Sequence, residues 1–364
     1  MEPLRPDSRD WIARSRLSGL GLRVATQATP GEVVGRLTAM QAQDYGYARW
    51  SVAQRQTEPA EAATIDAAFD EGRILRTHVL RPTWHYVVPG DLRWLVSLSG
   101  PCVEAANGRR YKDLGLDAHT LGRSNEVIGQ AVSDRARTRR ELALALEERQ
   151  VSTAGRLSEL LMHAELTAVI CSGPMRGKQH TYAAFDGRVA DERGPEGDEA
   201  LAELTWRYFS TRGPATLADF SWWSGLGAGH ARQGLALARS RLSSRRLDDR
   251  TYWFLDRGTP AAADRGVDLV QCFDELIISY RQSRDVLQTA EAAFAVPGDL
   301  DGFRHVVLLG GRLLGHWRAH PSGAGVRIET RTPGRLDKRV QLALSRAIER
   351  YRLFVGRSTI HHRT

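Results

Sequence analysis

The strongest structural signal in this chain is Ile74-Leu75-Arg76-Thr77-His78-Val79-Leu80-Arg81-Pro82-Thr83-Trp84-His85-Tyr86-Val87-Val88. Apolar and polar residues alternate through 74–81 and again through 84–88, which is typical of β-strands with one buried face. Pro82-Thr83 lies between the two runs and predicts the turn of a hairpin. The stretch therefore predicts an antiparallel strand pair, and the residues before it indicate what the pair packs against.

Three helices are predicted ahead of this hairpin. Residues 9–20 follow the possible cap Ser8, and Thr29-Pro30 supplies an N-cap and a first-turn proline for a helix that reaches Gln41-Ala42-Gln43, with Gly46 as its breaker. Three helices followed by a hairpin is the element order of a winged helix. The third of these helices lies at 61–71. Two more are predicted after the hairpin, from Pro89 to about Ser99 and from there to about Tyr111.

The same order of elements recurs twice, without a tight sequence period. Thr138-Arg139-Arg140-Glu141 and Thr216-Leu217-Ala218-Asp219 each predict a capping box at the start of a helix. Around them we predict helices at 153–166, 198–211 and 228–242, strands at 167–171, 181–185 and 251–255, and a polar linker at 191–198. The sequence thus predicts an α+β, mainly α fold with three tandem winged-helix units at residues 1–120, 121–195 and 196–265.

A β-rich segment with a closing helix is predicted at residues 266–364. Gly310-Gly311 sets the turn of a hairpin at 306–317. The remaining elements predicted here are strands at 267–273 and 326–330 and a helix at 336–355.

Composition limits the classes of function. The 364 residues include 51 Lys and Arg against 43 Asp and Glu, which gives a net charge of +8 and a pI near 9.7. Almost all the cations are arginines, a bias typical of GC-rich genes, but the net excess of positive charge still indicates a polyanionic partner such as a nucleic acid. Three scattered cysteines indicate reduced thiols, without a disulfide frame or a zinc site. Without a signal peptide or a long apolar run, we expect a cytoplasmic protein.

The candidate site is Met40-Gln41-Ala42-Gln43-Asp44-Tyr45-Gly46. In a helix, residues i and i+2 diverge by about 200°, but where the helix unwinds they can face the same way, as in a strand. The two glutamines could then share a site that orients a molecule without exchanging protons. The alternative, in which two amides satisfy the end of a helix, stays open on spacing alone.

Other stretches carry weaker signals. Gly225-Leu226-Gly227 predicts a turn between helices. Asp274-Glu275 follows a strand and could form a metal or acid/base site, but adjacent side chains in a strand point to opposite faces, which argues against a shared role. The arginine clusters at 135–140 and 239–246 fit either phosphate contacts or a solvated surface. The aromatic residues predicted to lie in the core are Trp206, Tyr208, Phe209, Phe220, Trp222 and Trp223.

Nearly the whole chain resembles the bacterial AlkZ-like DNA glycosylases. The most specific parts are the Gln41-Ala42-Gln43 element and the element running from Thr77-His78 to Thr83-Trp84-His85; Phe273-Asp274-Glu275-Leu276 and Gly315-His316-Trp317 match as well. The resemblance implies tandem winged helices that form a concave DNA-binding surface, and excision of alkylated bases, including interstrand crosslinks. It also implies that Gln41 and Gln43 are catalytic. A sister branch has Asp at the second position, so Gln43 indicates the branch often associated with self-resistance to a genotoxic natural product.

Glutamine chemistry indicates the substrate. A glutamine cannot act as a general base near neutral pH, but it can hold a water at C1′. Positioning suffices when the leaving base is already activated, as in a cationic N7- or N3-alkylated purine. The alternative catalytic residue is Asp44, an adjacent carboxylate that could stabilise the reaction electrostatically. Together with the resemblance, this chemistry implies a monofunctional DNA glycosylase that excises cationic N7- or N3-alkylated purines in base excision repair.

We expect a monomer that binds double-stranded DNA with alkylated purines and needs no cofactor or metal. The alternative function is a non-catalytic winged-helix DNA-binding protein such as a transcription regulator. The 306–317 hairpin and the first wing are expected to contact DNA. The residues expected at the DNA are Asp44, His78, Arg81, Thr83, Trp84, His85, Arg281, Arg312, His316 and Arg318.

Overall fold

The computed structural model describes residues 6–23, 25–189, 194–258, 266–293, 304–322, 325–356 and 362–363. The protein is 51% helical and 18% strand, which confirms the predicted α+β, mainly α class. In the described residues the strands form four separate sheets.

The first region, residues 6–113, surrounds a three-stranded sheet of order β1-β3-β2. Its elements are α1 Pro6–Gly19, α2 Pro30–Leu37, β1 Met40–Gln41, α3 Tyr45–Ala53, α4 Ala62–Asp70, β2 Leu75–Val79, β3 Arg81–Val87 and α5 Pro89–Asp113. The predicted helices 9–20 and 61–71 and the predicted strand pair are confirmed. The sheet has a third strand that the sequence does not predict.

That third strand replaces the end of a predicted helix. The helix α2 begins at its predicted cap Thr29 but ends at Leu37, and Thr38 has a positive φ of 66° that turns the chain. Residues 40–41 then pair with β3, and Gly46 lies inside α3 instead of breaking a helix. The prediction of a helix up to Gln43 is wrong, because the ladder hydrogen bonds to β3 outweigh a local helical pattern.

Two other boundaries differ from the prediction. The hairpin reverses at Leu80, which has a positive φ of 64°, while Pro82-Thr83 lies inside β3. The helix α5 continues past Pro101 as one element, so the predicted break near Ser99 is wrong. It lies so close to the end of the helix Leu157–Leu166 that a Cβ on Gly100 would come within 2.8 Å of the Leu166 carbonyl oxygen. This packing supports one long helix despite the proline.

The second region has its own sheet, of order β4-β6-β5, and a separate apolar core drawn from residues 111–184. Its predicted capping box is confirmed, because Thr138 and Glu141 each bond the other's backbone N–H. The elements are α6 Ala118–Ala131, β4 Arg137–Thr138, α7 Arg139–Glu148, α8 Leu157–Leu166, β5 Ile170–Ser172 and β6 Thr181–Ala184. The predicted linker 191–198 lies partly outside the described residues.

The third region ends in a two-stranded sheet, β7-β8. Its capping box, Thr216 with Asp219, is also confirmed. The predicted turn begins at Gly225, whose φ is 70°, and a Cβ there would lie 2.0 Å from the Leu80 carbonyl oxygen. Only glycine allows the tip of the first hairpin to approach so closely. The elements are α9 Gly197–Arg212, α10 Leu217–Ser224, α11 Ala228–Ala238, β7 Ser243–Leu247 and β8 Arg250–Phe254.

The C-terminal region forms a five-stranded sheet of order β13-β12-β11-β10-β9. The predicted turn at Gly310-Gly311 is confirmed, with positive φ at both glycines. The main core combines residues of the first, third and C-terminal regions with a few of the second, such as Cys171 and Phe185. The elements are β9 Val267–Val270, α12 Glu275–Ile278, β10 His305–Leu309, β11 Arg312–Ser322, β12 Gly325–Arg331, α13 Lys338–Val355 and β13 His362–Arg363.

Candidate active site

Gln41 lies at the end of β1, opposite His85 of β3. Its side chain is 8% exposed and borders an open cavity of about 1510 Å3, which we call the large cavity and which is also lined by α10, α11 and α12. Its Oε1 accepts a hydrogen bond from Nη2 of Arg81 at 3.3 Å. A nearly buried, uncharged amide is thus held at the wall of a space large enough for a substrate.

Gln43 faces a different space. It is exposed, its Oε1 accepts a hydrogen bond from the backbone N–H of Trp84 at 3.3 Å, and it borders a cavity of about 250 Å3 against α7 and α8. Pro82 lines both cavities. The predicted extended backbone is present at Gln41, and both side-chain oxygens bond to residues 81–84, but the two amides border separate cavities.

Glu275 holds the backbone of Gln41 in place. Its Oε1 accepts the backbone N–H of Gln41 at 2.8 Å, and its Oε2 accepts two hydrogen bonds from Arg212 at 2.6 and 3.0 Å. Ser279 and Trp223 also donate to Oε2. Burial alone would raise the pKa of Glu275, but Arg212 and these hydrogen bonds lower it below its ordinary value. An ionised, buried carboxylate therefore fixes the end of β1.

Sequence reasoning did not identify this anchor. The predicted strand places Asp274 and Glu275 at its end, but β9 ends at Val270 and Asp274 caps the short helix α12. The two carboxylates serve different arginines, since Asp274 binds Arg55 through two bonds of 2.7 and 2.8 Å. An acidic pair after a strand was the available signal, but both arginine partners lie far away in sequence.

Asp44 has a structural contact of its own. It is exposed and caps α3, where its Oδ1 accepts the backbone N–H of Tyr47 at 3.3 Å. It lines neither the large cavity nor the cavity at Gln43. Asp44 therefore lies outside both cavities that the two glutamines border.

The two histidines of the first hairpin are buried. The Nδ1 of His78 bonds to Glu165 of α8, and its ring lies 4.6 Å from the ring of Trp84. The Nδ1–H of His85 donates to the Thr83 carbonyl at 2.8 Å, while its Nε2 has no hydrogen-bond partner in the described part of the chain. Burial, with Arg81 nearby, holds the pKa of His85 well below its usual value, so the ring is neutral. At 7% and 0% exposure, neither ring is open to DNA in this conformation.

The start of β3 brings several predicted residues to the cavities. Arg81 and Thr83 line the large cavity, and burial lowers the pKa of Arg81. Trp84 lies at the smaller cavity with the guanidinium of Arg76 4.3 Å from its ring centroid. Arg76 also donates to the Ala42 carbonyl at 2.9 Å and so stiffens the link between the two glutamines.

The far wall of the large cavity includes Arg281 and Trp222. Arg281 is exposed, and its guanidinium lies 5.1 Å from the centroid of the Trp222 ring. Trp222 is 41% exposed, so its predicted core position is wrong, whereas Tyr208, Phe209 and Trp223 are buried as expected. On the short helix α10, consecutive side chains point in different directions, which separates Trp222 from Trp223.

The predicted DNA hairpin is largely occupied by internal contacts. Its turn packs on α1, because a Cβ on Gly311 would lie 2.9 Å from a Leu17 methyl group. Arg312 bonds to Asp10 and to the Gln288 carbonyl, and Arg318 binds Glu329. His316 is half-buried, and burial together with Arg331 lowers its pKa. These residues lie apart from both glutamine cavities.

The described residues contain no group of three or more His, Cys, Asp or Glu side chains arranged to hold a metal ion. Within the same ranges, no helix has the combination of length and apolar character needed to cross a membrane.

The family model for AlkZ-like DNA glycosylases matches residues 34–354, from α2 to α13. An interstrand DNA cross-link repair glycosylase of Streptomyces sahachiroi is 25% identical over 311 residues, which cover 81% of this chain and 84% of that protein. The solved structure of Streptomyces sahachiroi DNA glycosylase AlkZ shares the fold, with a TM-score of 0.78 and 22% identity over 100% of both chains. This chain therefore belongs to the AlkZ-like DNA glycosylase family.

Proposed function

We propose that this protein is a monofunctional DNA glycosylase that releases cationic N7- or N3-alkylated purines from double-stranded DNA. The observation that carries the proposal is Gln41, an uncharged amide, 8% exposed, at the wall of the large cavity. Membership of a DNA glycosylase family supports it. Its reaction is water attack at C1′, with Gln41 at the large cavity and Gln43 at the neighbouring cavity, on either side of Pro82, as the proposed catalytic residues.

The reaction needs no strong general base, because the purine leaves as a neutral base. The oxygen of water bonds to C1′, the N-glycosidic bond breaks, and its electron pair passes to the purine. The purine loses its positive charge and leaves as a neutral base, while the proton of the attacking water passes to solvent. An amide oxygen that accepts a hydrogen bond from the water lowers the barrier by positioning.

The surroundings of Gln41 support this role. Among the described residues that line the large cavity, the only carboxylate is Asp249, which lies between β7 and β8. Glu275 contacts the backbone of Gln41, and its carboxylate is already engaged with Arg212. The site is therefore better suited to substrates that leave readily than to uracil or undamaged bases.

The wider architecture is part of the same proposal. We assign tandem winged-helix units to residues 1–120, 121–195 and 196–265 and a β-rich segment to 266–364, together forming a concave surface for DNA. Each of the first three ranges contains helices and one small sheet, which supports the assignment. We propose that the protein acts as a monomer on bulky monoadducts or interstrand crosslinks. Its biological role would then be base excision repair and self-resistance to a genotoxic product.

The direct test is base release from a duplex that carries N7-methylguanine, followed as abasic sites. The wild type should release the base, and Gln41→Ala and Gln43→Ala should each slow release about 100-fold, because a lost positioning contact has effects of this size. Gln130→Ala is the matched control, since Gln130 is exposed on α6 outside both cavities. It should behave as the wild type.

Two results would change the assignment. If Asp44→Asn abolishes release while both glutamine variants remain active, Asp44 is the catalyst. If the wild type binds alkylated DNA, crosslinks included, and releases no base, the protein is a DNA-binding module such as a transcription regulator.

A further inference from the structure

Trp222 has an unusual environment for a tryptophan. In the described part of the chain it is the only aromatic side chain among the large hydrophobic residues that are exposed, at 41%. Its indole N–H donates to the Ile278 carbonyl at 3.2 Å, which ties one edge of the ring to α12. An exposed ring held in a fixed orientation is suited to contact with a ligand.

The ring lies one side chain away from the glutamine. Arg81 donates to Oε1 of Gln41 at 3.3 Å, and its guanidinium carbon lies 5.9 Å from the centroid of the Trp222 ring. Gln41, Arg81 and Trp222 all line the large cavity. A purine at Gln41 would therefore lie in the same cavity as the indole.

The large cavity exceeds the needs of a small lesion. At about 1510 Å3 it is larger than the 300–1,000 Å3 typical of pockets for drug-sized ligands. Apolar side chains make up much of its wall, whereas Arg281 and Arg232 are exposed cations that also line it. The apolar residues that line the cavity include Leu80, Val103, Leu217, Leu235 and Ile278. This combination fits an apolar substituent carried on polyanionic DNA.

We infer that Trp222 is a specificity-determining residue, which selects purine adducts whose N-alkyl substituent carries a planar aromatic ring. The substituent stacks on the indole while the adducted purine lies at Gln41. Arg281 leaves the ring for a DNA phosphate, since an exposed cation–π contact is weak. The inference rests on the proposed glycosylase function and adds the chemical class of its substrate.

The location of Trp222 favours stacking with an adduct over insertion between base pairs. Wedge residues insert between base steps and unstack them. Trp222 instead lies on α10 within the wall of a cavity, and its indole N–H is tied to α12. A ring in this setting receives a group that enters the cavity.

The test compares release of N7-benzylguanine and N7-methylguanine from otherwise identical duplexes. In Trp222→Ala the ratio of benzyl to methyl release rates should fall roughly 10-fold, the size expected for loss of one aromatic stack. Trp222→Phe keeps a ring and should retain most of the ratio. Trp206→Ala is the control, because Trp206 is half-buried outside the large cavity and should leave the ratio unchanged.

Failure of this inference differs from failure of the proposed function. If the wild type releases neither base, the glycosylase proposal fails. If the wild type releases both and Trp222→Ala lowers the two rates equally, or lowers neither, the glycosylase proposal stands and the specificity role of Trp222 is overturned. Circular dichroism of each variant confirms that a fall in rate does not reflect unfolding.

Discussion

The first sheet and the hairpin β7–β8 are stabilised in opposite ways. Two buried charge pairs stabilise the first region: Arg212 with Glu275, which bonds the backbone of β1, and Arg55 with Asp274, all four side chains no more than 1% exposed. The hairpin β7–β8 has two strands, and Arg245 and Arg246 of β7 are exposed. On the proposed function, the difference separates a rigid site for the reacting group from a basic surface for the DNA backbone.

Each arrangement suits its chemistry. In the proposed reaction Gln41 positions a water, and because a displacement of about 1 Å would disrupt that positioning, its backbone must be held in place. Phosphate contacts tolerate movement because they depend mainly on charge, and they are made by flexible side chains. The buried pairs make the first sheet sensitive to single substitutions, whereas the hairpin should tolerate them.

The largest expected effect is the loss of the anchor under Gln41. Glu275→Gln leaves Arg212 buried without a counter-charge, which should lower the free energy of unfolding by about 3–5 kcal/mol. Urea denaturation followed by circular dichroism measures this change. Asp186→Asn is the matched control, because it removes an exposed partner of Arg93 and should leave the free energy almost unchanged. A loss in Glu275→Gln no larger than in the control would show that the buried pair does not hold the sheet.

A smaller effect concerns the pH dependence of stability where β10 of the C-terminal sheet packs on α3 of the first region. Burial, with a contribution from Arg304, lowers the pKa of His305 to about 4, and its ring packs 4.0 Å from that of Tyr47 of α3. Below pH 6.5 the unfolded chain binds a proton that the folded protein refuses, so stability falls as the pH drops from 6.5 to about 4. Over this range the free energy of unfolding of His305→Phe should fall by about 2 kcal/mol less than that of the wild type.

The measurement is urea denaturation of both proteins at pH 7 and pH 4.5. Between pH 7 and pH 8 their dependence on pH should be the same, since the imidazole is neutral in the folded and the unfolded chain. Equal losses at pH 4.5 would show that the low stability in acid comes from other groups, such as His180, whose pKa is also lowered to about 4.

The smallest effect is expected on DNA binding by the exposed hairpin β7–β8. Arg245→Gln with Arg246→Gln should weaken duplex binding roughly 10-fold and reduce the salt slope by nearly 2, one counterion for each lost phosphate contact. Stability should not change. Arg137→Gln is the control, because Arg137 pairs with Asp134 and donates to the Ala131 carbonyl. An unchanged salt slope in the double variant would show that β7–β8 does not contact DNA.

Much of the fold could be predicted because its signals are local. The helix starts at Thr138 and Thr216 rely on a partner three residues away, and the turn at Gly310-Gly311 relies on residues that tolerate positive φ. Alternation of apolar and polar residues likewise predicted the strand pair β2–β3. Boundaries failed where a distant partner intervened, as at the end of α2, where β3 takes residues 40–41 into a sheet.

The sequence by itself determined the element types, the basic character of the chain and the pair of amides at Gln41 and Gln43, since these depend on residue identity and short spacing. Only the tertiary structure decided that Gln41 lies on a strand, that Glu275, 234 residues away, holds its backbone, and that Trp222 faces the same cavity. The physical reason is range. Capping and turn energies act within a few residues, whereas a buried carboxylate selects its arginine by proximity in the folded core, which no local pattern records.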